Sequence, residues 1–185
     1  MRITGGIFKG KKINPFNNPA VRPSKSMLRE ALFSILGPGY CSGKVVGDFF
    51  SGSGIMALEA ISRGAQVVYC ADSNINSCDL IRKNFKQLNH PCSDTIFHLS
   101  ADQALVHLAT TGVVFDLIYL DPPYATPELG VEIIDKACLL GCLAPNAVAV
   151  LEHKSKTEIP QSLAMLIWKQ KKYGHSKLTF YNRKL

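Results

Sequence analysis

The chain has 185 residues, 46% of them hydrophobic, which excludes a disordered polypeptide and suffices for one domain with a substantial core. Its net charge of +7 is unevenly spread: residues 1–30 carry seven basic side chains against Glu30, and residues 154–185 carry eight against Glu158. The middle is therefore acidic, so the ends suit a polyanion while the centre holds a different ligand.

In chain order, RITGGIFKGKKI alternates and contains glycines, as a short hairpin or extended arm does, and Pro15, Pro19 and Pro23 then interrupt it. Residues 1–23 are read as a basic extension of a single domain spanning 1–185. SKSMLREALFSIL predicts a helix capped by Ser24 or Ser26, with Met27, Leu28, Ala31, Leu32, Ile35 and Leu36 inward and Lys25 and Arg29 on the other face. Strand and helix patterns then alternate: strands over 45–50, 67–72, 95–100, 115–121 and 147–153, and helices over 53–64, 75–89, 101–109 and 127–140. Repeated strand–helix units imply a mostly parallel sheet covered by helices on both faces, an α/β Rossmann-like architecture. Residues 166–172 and 177–183, joined by YGHS, predict an antiparallel C-terminal hairpin.

MRITGGIFKGKK has no apolar stretch behind its charges, and the longest uncharged run, Ala137–Leu151, is too short and too broken by Pro145 to span a bilayer. A cytoplasmic protein is expected. The six cysteines include no CxxC pair and the five histidines are scattered, so reduced core thiols are expected and no metal is assigned.

Open parallel sheets bind ligands outside the carboxyl ends of their strands. Asp48, Asp72, Asp102 and Asp121 all fall at or near predicted strand ends. In GDFFSGSGIMALEA, Gly52, Gly54 and Ala57 match the spacing of nucleotide-binding turns, in which glycine admits a close ligand and the following helix offers N–H groups. Asp72 stands where a carboxylate can accept both ribose hydroxyls. A dinucleotide enzyme is one reading, but it usually needs a second domain. Asp48 beside a cofactor ammonium and Asp102 beside an adenine amine favour S-adenosylmethionine, with Ser51, Ser73, Gln103 and Asp121 counted in the same cofactor set.

FDLIYL reads as a core strand, yet it ends in Asp121-Pro122-Pro123-Tyr124. The prolines lack the N–H that a ladder requires, so the chain leaves the sheet there. The Asp121 carboxylate and Pro122 carbonyl can grip the N–H groups of a nucleobase amine, and Tyr124 offers a ring on which an extruded base stacks. This is the chemistry of amine methylation, with Asp121, Pro122 and Tyr124 as the catalytic set.

With these residues assembled, the chain resembles the RsmD-type methyltransferases, which methylate N2 of a guanine in bacterial 16S ribosomal RNA. The resemblance runs through RITGGIFKGKKI, RPSKSMLREALFSIL, DFFSGSGIMALEAISRGA, LIRKN and DPPY. It implies the methyltransferase fold of about seven strands, S-adenosylmethionine as cofactor, and a small-subunit substrate with guanine 966 as target in the family's customary numbering. By the same resemblance Asp48, Gly52 and Gly54 meet the cofactor's methionine end, Asp72 and Asp102 its ribose and adenine, and Asp121–Tyr124 the guanine. Arg2, Lys9, Lys11, Lys12, Arg22, Lys25 and Arg29 are the candidate RNA contacts of a monomer. The chain departs from the family at Asp72, where many members have glutamate, at Ser51 for alanine and at Gly47 for an aliphatic residue. Its tail from Ser155 follows the family loosely. Enzymes acting on DNA adenine or cytosine share DPPY but typically carry a separate target-recognition region, and none is evident. Glutamine methyltransferases typically have asparagine in place of Asp121. A nicotinamide enzyme and an RNA-binding module with a dead site remain as alternatives.

Overall fold

The computed structural model describes residues 1–15, 24–90 and 95–183. Arg22 and Lys184 lie outside the described residues, and so does the side chain of Lys25. The elements run α1 Ser24–Leu36, β1 Val45–Phe49, α2 Ile55–Ser62, β2 Val67–Asp72, α3 Ile75–Gln87, β3 Ile96–His98, α4 Ala101–Thr110, β4 Phe115–Leu120, α5 Glu128–Leu139, β5 Leu143–Lys154, β6 Met165–Tyr173 and β7 Ser176–Arg183.

The strands form one sheet in the order β3-β2-β1-β4-β5-β7-β6. β1 to β5 are parallel, and β7 runs against both of its neighbours. The chain moves outward from β1 to β3, then crosses back to place β4 on the other side of β1. Ligands bind such sheets where the direction reverses, here between the carboxyl ends of β1 and β4.

Both faces are covered, as the apolar runs predict. In β4, Leu117 and Tyr119 face one core with α1, α2 and α3, while Phe115, Ile118 and Leu120 face a second core under α4 and α5. β5 alternates likewise, Val148 and Val150 against Ala147, Ala149 and Leu151. Gly47 in β1 has a packing cause: a Cβ there would lie 2.8 Å from the Phe49 ring and 3.1 Å from that of Phe115. The amino ends of β1 and β4 are pinned by Asp116, which accepts from Lys44 Nζ at 3.0 Å and from the Val45 N–H at 2.9 Å.

Residues 1–15 adopt the hairpin alternative, with Ile3 and Ile13 buried in the core and an Arg2–Lys12 bridge. The hairpin lies along α2 on a fully buried carboxylate. Glu59 accepts from the Thr4 N–H at 2.9 Å, the Thr4 hydroxyl at 2.8 Å, Arg29 Nε at 3.0 Å and Arg63. Arg29 also donates to the Arg2 carbonyl at 2.9 Å. Arg29 is thus corrected: it is not on the solvent face of α1 and does not reach RNA, because a buried glutamate on the neighbouring helix draws its guanidinium inward.

Several boundaries move. β1 stops at Phe49 because Phe50 has φ 63°, a left-handed conformation rarely taken by a bulky residue. α2 starts at Ile55 rather than 53, since Gly54 at φ 71° is its N-cap. β3 is shorter than 95–100, and β5 begins four residues before Ala147. No helix among the described residues is long and apolar enough to cross a membrane.

Candidate active site

Asp72, Asp48 and Asp121 stand at the carboxyl ends of three adjacent strands, β2, β1 and β4. Asp102, in the first turn of α4, follows β3 on the same rim. Chain topology alone therefore gathers the four carboxylates predicted from scattered motifs.

The turn after β1 is built around two of them. Asp48 is buried, and its Oδ2 accepts the Ala57 N–H at 3.1 Å, so a strand side chain caps the amino end of α2, where Gly54 has none to offer. Burial pushes the Asp48 carboxyl well above the usual carboxylate range; the Ala57 N–H opposes this, and the charges of Asp121 and Asp72 add to it. Asp72 clasps the turn from the other side, accepting the Gly52 N–H at 2.8 Å and the Asn74 N–H at 2.9 Å. A carboxylate has about four lone-pair sites, so two of them remain for further donors.

Ser51 is reassigned within the cofactor set. Its buried hydroxyl donates to the Asp48 and Ala71 carbonyls and accepts the Ala71 N–H at 3.0 Å, stitching β1 to β2. The side chain is consumed by the fold, and the backbone N–H and carbonyl of this residue are bonded to the Ala71 carbonyl at 3.1 Å and the Gly54 N–H at 2.8 Å. Ser73 is exposed, and its carbonyl accepts from His98 Nε2 at 3.0 Å. Gln103 makes a capping box with Ser100, donating its N–H to the Ser100 hydroxyl at 3.2 Å and accepting the Ser100 N–H at 3.1 Å. That S-x-x-Q signature is legible in SADQ. Asp102 is 56% exposed at its side chain and pairs with Lys136 of α5.

Beyond β4 the chain turns out of the sheet. The Asp121 N–H makes a long last rung to the Phe49 carbonyl at 3.5 Å, and the Pro123 carbonyl accepts the Thr126 N–H at 2.9 Å. Pro122 is buried, whereas Tyr124 is 43% exposed. A polar chain holds this loop to the sheet. The Tyr119 hydroxyl donates to buried Glu152, the Ser176 hydroxyl donates to the other Glu152 oxygen at 3.0 Å, and the Tyr124 hydroxyl lies 3.3 Å from that of Ser176. Lys154 Nζ stands over the Tyr124 ring, 5.4 Å from its centroid. Burial, then the neighbouring Glu152 and Asp121 charges, keep the Tyr119 phenol protonated far above its ordinary range. Glu152, Ser176 and Lys154 were not anticipated as site residues. Of these, only Glu152 left a trace, a lone acid in the apolar strand AVAVLEH.

The predicted basic residues are divided. Arg2, Lys9, Lys11 and Lys12 are exposed. However, Lys9 lines a cleft with Gly37–Cys41 and Ser62–Gly64, segments that precede β1 and β2. The hairpin tip therefore lies at the end of the sheet opposite the carboxylates. Among the described residues, Cys41, Cys70, Cys78 and Cys142 are buried thiols and Cys138 is half-buried.

The arrangement can thus hold a cationic, hydroxyl-bearing ligand along the rim, next to an exposed ring and an acid. Residues 1–182 match the family model described as Conserved hypothetical protein 95. Ribosomal RNA small subunit methyltransferase D of Haemophilus influenzae is 30% identical over 90% of this chain and 86% of its own length. The Escherichia coli K12 protein of the same name is 28% identical over 86% and 78%. A solved structure of a conserved hypothetical protein from Streptococcus pyogenes superposes with a TM-score of 0.75 at 32% identity, covering 84% of this chain and 95% of that one. The chain belongs to the family that this model describes, the RsmD-type family whose motifs its sequence carries.

Proposed function

We propose that the protein transfers a methyl group from S-adenosylmethionine to the exocyclic N2 of a guanine in 16S ribosomal RNA, the modification of the guanine-966 type. One observation carries the cofactor choice. In a dinucleotide site the first helix after β1 turns its amino end to a pyrophosphate, but here the Asp48 carboxylate takes that position on α2. A phosphate would meet Asp48, Asp72 and Asp121 at close quarters. A cofactor carrying an ammonium and a sulfonium is instead attracted to them, and its charge opposes the burial, and the lesser repulsion from Asp121 and Asp72, that raise Asp48. The relatives named ribosomal RNA small subunit methyltransferase D support the RNA substrate.

Asp48 and the backbone of Gly52 and Gly54 hold the methionine end, Asp72 the ribose, and Asp102 with Ser73 and Gln103 the adenine side. When bound, the cofactor supplies a methyl group activated by positive sulfur. A guanine amine is a poor nucleophile because its lone pair is delocalised into the ring. Accepting its two N–H groups at the Asp121 carboxylate and the Pro122 carbonyl favours a pyramidal nitrogen and aims the lone pair. Tyr124, fixed through Ser176 and Glu152, receives the extruded base, a contact worth about 1–3 kcal/mol. Positioning does most of the work, and Asp121 accepts the proton that N2 loses as it gains its methyl, directly or through water. Arg2, Lys9, Lys11 and Lys12 serve as a distal electrostatic contact to a large RNA.

The test is methyl transfer to ribosomal RNA or small subunits lacking the mark, with the modified nucleotide mapped. Asp121→Ala loses transfer by roughly 10²-fold or more while cofactor affinity by calorimetry stays near wild type. Asp72→Ala does the reverse, weakening cofactor binding first. Equal loss of both properties in Asp121→Ala refutes the role given to Asp121.

A further inference from the structure

The rim of the sheet past Asp121 changes sign, from carboxylates to lysines. β5 ends in Lys154, which pairs in register with Ser176 at the start of β7 and falls on the Glu152 side of the strand. The chain then turns, and the Ser155 N–H donates to the His175 carbonyl at 2.8 Å, tying the exit of β5 to the β6–β7 turn. Between these segments an open cleft of about 390 Å³ is lined by Tyr124, Lys154, Ser155, Lys156 and His175, none of them acidic. The ring that receives the base in the proposed reaction is thus one wall of a basic cleft.

We infer that this cleft clamps the RNA backbone at the target nucleotide, with Lys154 and Lys156 on its phosphates and His175 beside them. The inference rests on the proposed base-extruding reaction and adds to it the element that holds the strand. Sites for unpaired nucleic acid combine an aromatic platform with a positive groove that tracks the backbone. Here both occur within one cleft: Lys154 covers one face of Tyr124 at a cation–π distance, so the base takes the opposite face. Charge order along the rim adds direction. Phosphates are repelled by Asp48, Asp72 and Asp121 and drawn to Lys154 and Lys156, which keeps the backbone outside while the base reaches Asp121. Lys9 of the N-terminal hairpin cannot substitute, since it belongs to the far end of the sheet.

The experiment measures affinity for a fluorescent short uridine oligomer with one central guanosine, by anisotropy across a salt series. The variants are Lys154→Gln with Lys156→Gln, and, as an equal charge loss elsewhere, Lys83→Gln with Lys86→Gln on the exposed side of α3. Thermal melting verifies that both fold. The cleft pair is expected to bind on the order of tenfold more weakly and to lower the salt slope by about 1.4, two single-strand phosphate contacts. The α3 pair stays close to wild type. Replacing the phosphates flanking the guanosine by neutral methylphosphonates weakens wild-type binding by a similar factor and leaves the cleft pair unchanged. If the cleft pair behaves like the α3 pair, or loses as much on methylphosphonate substitution as wild type does, the clamp is overturned. Failure of the reaction itself reads differently: wild type then methylates no guanine N2, while the binding loss in the cleft pair persists.

Discussion

Glu59→Gln is a small change that the structure predicts to be costly. The carboxylate is fully buried and faces Arg29, which is 5% exposed at its side chain, and Arg63 at 17%. Glutamine keeps the volume but removes the charge and turns one acceptor oxygen into a donor facing other donors. Arg63 can move toward water and recover its hydration, whereas buried Arg29 loses this carboxylate with no hydration in exchange. Breaking such a pair by removing one partner costs about 3–5 kcal/mol, and Arg63's freedom places this case near 3. Against a total stability of roughly 5–15 kcal/mol this is a large share. At about 2–4 °C per kcal/mol for a chain of this size, the melting temperature falls by roughly 6–12 °C. Thermal denaturation followed by circular dichroism measures the shift. Amide exchange then localises it, with the Ile3 and Ile13 N–H groups, bonded to Lys11 and Met1 carbonyls, losing protection first. A shift below about 2 °C, or faster exchange spread evenly over the sheet, would refute the reasoning that Glu59 seats the hairpin.

Asp48→Asn is expected to stabilise the cofactor-free protein and weaken cofactor binding. Because burial raises the folded-state pKa, the folded protein keeps its proton in a window above the ordinary range, beginning near pH 4, where the unfolded chain has lost it; stability falls as pH rises through that window. Asparagine can still accept the Ala57 N–H but has nothing to ionise, so melting temperatures between about pH 4 and 7 flatten and exceed wild type at the upper end. A lower melting temperature at neutral pH than wild type counts against this. Neutralising Lys9, Lys11 and Lys12 together is expected to reduce affinity and salt slope for intact ribosomal RNA while leaving the short oligomer unaffected, since the hairpin tip lies away from the rim. An equal loss for both RNAs would place the hairpin beside the target instead.

Much of the fold was legible because its signals are local. Alternating apolar periods, glycine stops and proline breaks marked each strand–helix unit, and carboxylates at strand ends then fell on one rim by topology. The site's framework was less legible. Nothing near Arg29 in sequence says that Glu59, on another helix, will draw it inward. Ser51 read as a loop residue open to a ligand, yet its hydroxyl is spent on Ala71 across the sheet. The link from Glu152 through Ser176 to Tyr124 joins three segments that only the strand order brings together. The N-terminal arm was assigned to RNA on its charge, and charge does not say which end of a sheet it occupies.

β7 sits between two strands that come before it in sequence. β6 is therefore made early but has no place in the sheet until its successor exists, and in the interval β5 presents an unpaired edge of the kind that invites aggregation. The two-residue turn at Gly174-His175, with Gly174 at φ 59°, lets β6 and β7 zip together locally before docking as a unit on β5. The basic cleft needs that docking, since its walls come from the exit of β5 and from the β6–β7 turn.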